Sequence, residues 1–135
     1  MKIKNKLVIP LIILSVVFFF VVGFLNFQTD RQVIPVSFVL SENSGFGNAE
    51  GEIIFGALKY NQSAARSIVV SNDYDYDIFI KIKIDGEIRD RVIASENNFV
   101  LSPNESREVT FTVYSHGLTE YRKYSGNIII LSRKD

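Results

Sequence analysis

The sequence contains no cysteine, which excludes disulfide bonds, thiolate metal sites and cysteine nucleophiles. His116 is the only histidine, and without a second histidine or a cysteine it cannot establish a zinc site. Phosphate-binding loops, dinucleotide-binding fingerprints and nucleophile elbows are also missing. We therefore expect no catalytic residue, no cofactor and no small-molecule substrate, and we predict that the protein is not an enzyme.

Acidic residues are absent from the first 25 positions, where Lys2, Lys4 and Lys6 are the only charged side chains. Residues 26–135 hold the other 12 of the 15 lysines and arginines and all 15 acids, a net charge of −3. Nucleic-acid binding requires a basic surface that neutralises phosphates. This mildly acidic part, with its interspersed signs, is therefore not expected to bind nucleic acid.

Residues 7–25 are apolar and uncharged, and at about 1.5 Å per residue they extend over roughly 28 Å, close to the ~30 Å hydrocarbon core of a bilayer. We predict a single transmembrane helix that contacts membrane lipid. Because the lysines precede it, residues 1–6 form a cytoplasmic tail and the rest is extracytoplasmic, in the cell membrane. The expected anchor residues are Leu7, Leu11, Leu14, Phe18, Val21 and Leu25.

A cleaved signal peptide is the main alternative to a retained anchor. Its apolar region usually has about 7–15 residues and ends in a small-x-small cleavage site. The apolar run here is longer, and no such triplet follows it in residues 24–29. The pattern favours the anchor but leaves cleavage open.

Beyond the apolar run, the hydrophobic period changes to roughly two, which predicts strands. Residues 26–50 provide a first strand (33–40) and a linker. Residues 51–135 are predicted to form the sandwich, and the first strand is a candidate member of it. Its strands are predicted at 51–58, 66–72, 78–84, 99–101, 107–115 and 127–134. The expected fold is an all-β antiparallel immunoglobulin-like sandwich of about seven strands after one transmembrane helix.

Asp85-Gly86 is a strong hairpin signal. A three-residue loop over residues 85–87 places Ile84 opposite Ile88 and Ile80 opposite Val92, which keeps the apolar side chains on one face. We therefore predict a hairpin at this position.

Several strand and turn motifs carry a family resemblance. They are IVVSN (68–72), FVLSPNES (99–106) before REVTFTV, and the entry to the last strand at Tyr124-Ser125-Gly126-Asn127-Ile128. The chain resembles immunoglobulin-like sandwiches of the PapD-like and major-sperm-protein-like type over about 85 of its 135 residues. This resemblance implies a fold and leaves function open. The layout of one anchor and one sandwich also resembles archaellum stator-type proteins.

Two clusters are candidates for binding. Asp73, Asp75 and Asp77 alternate like the start of a calcium loop, although Ile78 and Ile84 occupy the positions that need glycine and glutamate. The other reading of this segment is a solvated turn. Tyr121, Arg122 and Tyr124 lie in a loop and are of types enriched at interfaces, or they form a plain loop with a core-facing tyrosine.

Asn61 and Asn104 begin N-glycosylation sequons in predicted turns. The expected function is a membrane-anchored, extracytoplasmic, non-enzymatic binding or structural module of a prokaryotic cell envelope, with a protein partner there. The alternatives are an accessory, stator-like subunit of a membrane complex or surface filament, and a secreted binding module released by signal-peptide cleavage.

Overall fold

A computed structural model describes residues 4–25, 29–43, 45 and 50–135, and in its one helix it describes the side chains of residues 10–24. That helix, α1, spans Lys4–Leu25. The rest of the described chain is strands and their connections.

No helix among the described residues is both long and apolar enough to cross a membrane. The predicted transmembrane helix over residues 7–25 is therefore not supported, and the fold class is corrected to a mostly β fold with one short helix. The side chains of Leu7 and Leu25 lie outside the described part, and those of Leu11, Leu14, Phe18 and Val21 are exposed.

The described chain forms eight strands, against about seven predicted. The order of the predicted strands is confirmed, with ends that differ by up to four residues because pairing partners extend them. The strands are β1 Thr29–Leu40, β2 Ile53–Leu58, β3 Ser63–Ser71, β4 Ile78–Gly86, β5 Val92–Ala94, β6 Phe99–Leu101, β7 Ser106–Tyr114 and β8 Lys123–Lys134.

The strands form two sheets, one of five strands in the order β2-β1-β8-β4-β6 and one of three in the order β3-β7-β5. Most neighbours are antiparallel, but β1 and β2 are parallel, so the prediction of a purely antiparallel sandwich is wrong at this pair. The long connection over residues 41–52 returns the chain to the middle of β1, and parallel pairing needs a connection of about that length.

The predicted hairpin at Asp85-Gly86 is also wrong. Strand β4 pairs with β8 and β6, so that Ile84 lies opposite Ile128 rather than Ile88. After Gly86 the chain crosses to the other sheet, where β5 pairs with β7. Ile88 is fully buried between the sheets, and this burial favours the crossing over a local hairpin.

One hydrophobic core includes side chains from both sheets, which defines a two-layer sandwich. The predicted inward face of β4 is confirmed, since Ile78, Ile80 and Ile82 are buried and Ile84 is half-buried. Ile128 and Ile130 belong to the same core, whereas Ile129 is buried without belonging to it. Ile129 therefore lies on the outer face of the five-stranded sheet.

Candidate functional site

A cleft of about 680 Å³ lies between the two sheets, beside β1 and β3. One wall is the first part of β1 and the other is the last part of β3. Core isoleucines of β4 and β8 form its floor, and the turn after β3 lies at its mouth. The lining residues are Asp30, Arg31, Gln32, Val69, Val70, Ser71, Asp73, Tyr74, Ile78, Ile80, Ile130 and Ser132.

The cleft exists because one strand position is only half filled. Strand β8 pairs with β1 from Thr29 to Val39, but β2 pairs only with Val36–Leu40 on the other side of β1. Among the described residues, no strand lies beside the other edge of residues 29–35. That edge therefore presents backbone N–H and C=O groups to the cleft.

The opposite wall also ends in an open edge. Strand β3 pairs with β7 along all of Ser63–Ser71 and is the last strand of its sheet. Natural edge strands are usually protected by lysines, proline or a bulge. Strand β3 contains no lysine, proline or bulge; its one charged side chain is Arg66, and its Val69 side chain is 69% exposed.

A hydrogen bond crosses the mouth of the cleft, from the Tyr74 hydroxyl to the Asp30 carboxylate. This bond and the negative charge of Asp30 raise the pKa of Tyr74 above its ordinary value of 10.0. Because the pKa is raised by folding, the stabilisation from this bond is complete below about pH 10 and is lost as the pH rises through the folded-state pKa. Neutral tyrosine therefore holds the turn against β1 at physiological pH.

The three aspartates suggested for calcium occupy the exposed turn between β3 and β4. Within the described part of the chain, no group of three or more acidic or histidine side chains is arranged to hold a metal ion. The turn is organised instead by Asn72, which is fully buried: its Nδ2 donates to the Tyr76 carbonyl at 2.8 Å and its Oδ1 accepts from the Tyr74 amide at 3.0 Å.

The three residues of the predicted interface loop lie in different environments in the structure. Tyr121 is exposed, but Tyr124 is only 6% exposed and stacks on Phe38 with ring centroids 5.2 Å apart. Arg122 lies over the Tyr124 ring at 4.1 Å and forms ion pairs with Glu87 at 2.8 Å and Glu120 at 3.0 Å. Tyr124 is therefore the core-facing tyrosine of the alternative reading, and the guanidinium of Arg122 already forms ion pairs within the chain.

Both sequon asparagines lie in exposed turns with left-handed backbone, at φ 62° for Asn61 and 61° for Asn104. The Asn61 side chain hydrogen-bonds His116 Nδ1 at 2.6 Å. This places the only histidine away from the cleft, so it does not meet the Asp30–Tyr74 pair. We find no nucleophile–base pair among the described hydrogen bonds of the cleft.

The cleft residues Asp30, Gln32 and Val69 were not singled out from the sequence. Their segments are 37 or more positions apart in the chain, and only strand pairing brings them together. The one local signal is Val69, an apolar residue on the exposed phase of β3.

Comparisons with protein-family models, with curated proteins and with solved structures give no match to this chain.

Proposed function

We propose that this protein is a non-enzymatic binding module whose sandwich accepts an extended segment of a partner polypeptide in the cleft between β1 and β3. The observation that carries the proposal is the half-filled strand position beside residues 29–35, which faces a second open edge on β3. An added strand would pair its backbone with the free edge, a common mode of peptide recognition.

The cleft specifies the chemistry of the segment. Seven residues of β1 are free, so the partner contributes about seven extended residues, or about 24 Å. Alternate side chains would face Ile78, Ile80 and Ile130, where apolar groups gain by burial. Asp30 and Asp73 lie at the mouth and favour a lysine or arginine at the end of the segment.

A synthetic heptapeptide, Lys-Val-Thr-Val-Thr-Val-Lys, is a suitable probe of this function. Titrated into the ¹⁵N-labelled full chain, it should shift and protect from exchange the amides of residues 29–34 and 68–71. The expected affinity is weak, with a Kd of about 0.1–1 mM, because the segment is short and pays its ordering cost on binding.

Three controls make this test decisive. A peptide with proline in place of each threonine cannot donate the ladder hydrogen bonds and should not bind. Gln32→Trp fills the cleft and should abolish binding, whereas Thr119→Trp, at another exposed position, should not. Equal binding of the proline peptide, or amide shifts confined to other strands, would exclude strand addition.

We also propose that the sandwich is of the immunoglobulin-like, PapD-like type. Support comes from the structural roles of the motifs: Asn72 at the end of β3 donates to the carbonyl of Leu101 at 2.9 Å, and Gly126 allows close approach of the chain at Asp85. An experimental structure that paired β4 with residues 88–92 would contradict this assignment. The stator-like alternative depended on an anchor, and without support for the anchor it is not proposed.

We further propose that the module acts outside the cytoplasm as a secreted protein. Support comes from the order of the segments, since Lys2, Lys4 and Lys6 precede an apolar helix, as in a signal peptide. The intact mass of the protein from native cells checks this. A product lacking about the first 28 residues is expected, and a full-length product would contradict it.

A further inference from the structure

We infer that two copies of this chain form a symmetric dimer in which the basic outer face of the five-stranded sheet of each copy meets the acidic turn of the other. The basic face is defined by Arg31, Lys81, Lys83 and Arg133, and the acidic turn by Asp73, Asp75 and Asp77. Arg31 and Asp73 also line the cleft, but the other residues of the two surfaces do not, and so the inference goes beyond the proposed function.

Strand pairing assembles the basic face. Residues 80, 82, 128 and 130 belong to the core, so their neighbours along β4 and β8 point outward. Leu131 pairs with Lys81 on one side and Arg31 on the other. Lys83 lies two residues after Lys81 on β4, and Arg133 lies two residues after Leu131 on β8, each about 7 Å along its strand on the same face. Because β4 and β8 are antiparallel, Lys83 and Arg133 lie on opposite sides of this row.

A shallow groove of about 410 Å³ crosses this face. Its lining combines three of the cations with the apolar surfaces of Phe79 and Leu131. The guanidinium of Arg133 lies over the Phe79 ring at 5.0 Å. An apolar centre with a charged rim is the usual anatomy of a protein–protein interface.

None of the four cations forms an ion pair with another residue in the described part of the chain. Lys81 lies about 7 Å from Lys83 and about 10 Å from Arg31, distances close to the Debye length of about 8 Å at physiological salt, so these like charges repel one another. Asp85 and Asp135 lie two residues beyond Lys83 and Arg133 along the chain, and the Asp85 carboxylate accepts a hydrogen bond from Asn127 Nδ2 at 3.1 Å. An acidic partner would relieve the repulsion.

The acidic turn supplies matching chemistry on the same molecule. Its three carboxylates are exposed and belong to no ion pair in the described part of the chain. Buried Asn72 hydrogen-bonds the backbone of the turn, and the rings of Tyr74 and Tyr76 stack on each other with centroids 5.1 Å apart. A rigid acidic and aromatic surface suits a basic face with an apolar centre because little ordering is required on binding.

Charge complementarity on one chain favours a second copy as the occupant. Asp77 directly precedes β4, so the acidic turn adjoins the end of the sheet that carries Phe79 and Arg133. A dimer with a two-fold axis would have two identical contacts, because each copy carries both the basic face and the acidic turn. A foreign acidic partner would satisfy the basic face but leave the acidic turn unmatched.

The contact is small, which determines its expected strength. The basic face spans three rows of residues on four strands, which is about 14 by 14 Å or about 200 Å². The two contacts of the dimer together therefore bury less than the ~800 Å² per partner that is typical of a stable complex. The dimer should therefore be weak and strongly dependent on salt.

Sedimentation velocity of the full chain tests the inference with two charge-reversed variants. One is Lys81→Glu with Lys83→Glu, and the other is Asp75→Lys with Asp77→Lys, which leaves the cleft residue Asp73 intact. Wild type should dimerise at about 20 mM salt and dissociate at about 0.5 M. Each variant alone should raise the Kd by at least about tenfold. An equimolar mixture should restore dimers, because one contact then joins the two charge-reversed surfaces and the other joins the native basic face to the native acidic turn.

The matched control is Lys59→Glu with Arg89→Glu, which makes the same charge change at exposed positions elsewhere and should leave the dimer intact. If reversal unfolds a variant, Lys81→Gln with Lys83→Gln and Asp75→Asn with Asp77→Asn replace it, each expected to weaken the dimer alone. The inference is overturned if wild type stays monomeric at low salt, if association is unaffected by the variants, or if the reversed pair fails to restore dimers on mixing.

Discussion

Replacing Gly126 with alanine is expected to destabilise the sandwich by about 3 kcal/mol, near the upper end for overpacked sites. A Cβ at this position would overlap the carbonyl oxygen of Asp85 and lie 2.5 Å from Cγ1 of Ile88. Neither group can move freely, because Ile88 is fully buried and Asp85 belongs to the ladder between β4 and β8. Urea unfolding followed by circular dichroism measures the change.

Gly45→Ala is the matched control for this substitution. The nearest atom to an added Cβ at Gly45 is the Cβ of Ala57 at 3.9 Å, which is an ordinary contact. The midpoint of urea unfolding should therefore change little. A loss below about 1 kcal/mol for Gly126→Ala would mean that β4, β8 and Ile88 are not packed as described.

Asn72→Ala is the second substitution with a large expected effect, a loss of about 3 kcal/mol. The side chain is fully buried and makes three hydrogen bonds, to the carbonyls of Tyr76 and Leu101 and from the amide of Tyr74. Alanine would leave these backbone groups without their partner, and an unpaired buried group costs about 1–3 kcal/mol. The same unfolding experiment measures this loss.

Asn43→Ala, at an exposed bend, provides the comparison and should change stability by less than about 0.5 kcal/mol. Asn72→Ala should also free the turn, so the amides of residues 73–77 should exchange faster than in wild type. Unchanged exchange in this turn would contradict the role given to Asn72. The measurement also bears on the dimer, because the acidic turn depends on the same side chain.

Local pattern was enough to locate most strands, because period-two alternation and turn residues act over a few positions. The alternation of Ile78, Ile80 and Ile82 predicted the inward face of β4, and the Ile/Leu run near the C-terminus predicted burial on both faces of β8. The same reasoning failed at Asp85-Gly86. A local turn signal there was overruled by the burial of Ile88 between the sheets.

The apolar segment illustrates a different limit. Its composition predicted a transmembrane helix, and α1 is helical, but no helix among the described residues is both long and apolar enough to cross a membrane. The prediction that Tyr124 lies at an interface failed because the residue type does not show in which direction the side chain points. Position 124 falls on the inward phase of β8, which faces Phe38.

The sequence by itself determined that this is a β-rich chain without cysteine chemistry, and it determined where most of the strands lie. These properties depend on composition and on neighbours a few residues apart. Tertiary structure alone decided the parallel pairing of β1 with β2, the open cleft beside residues 29–35, and the gathering of Arg31 with Lys81 around Leu131. The physical reason is that each depends on which strands become neighbours. That choice is made by burying one shared core, and residues up to a hundred positions apart contribute to it.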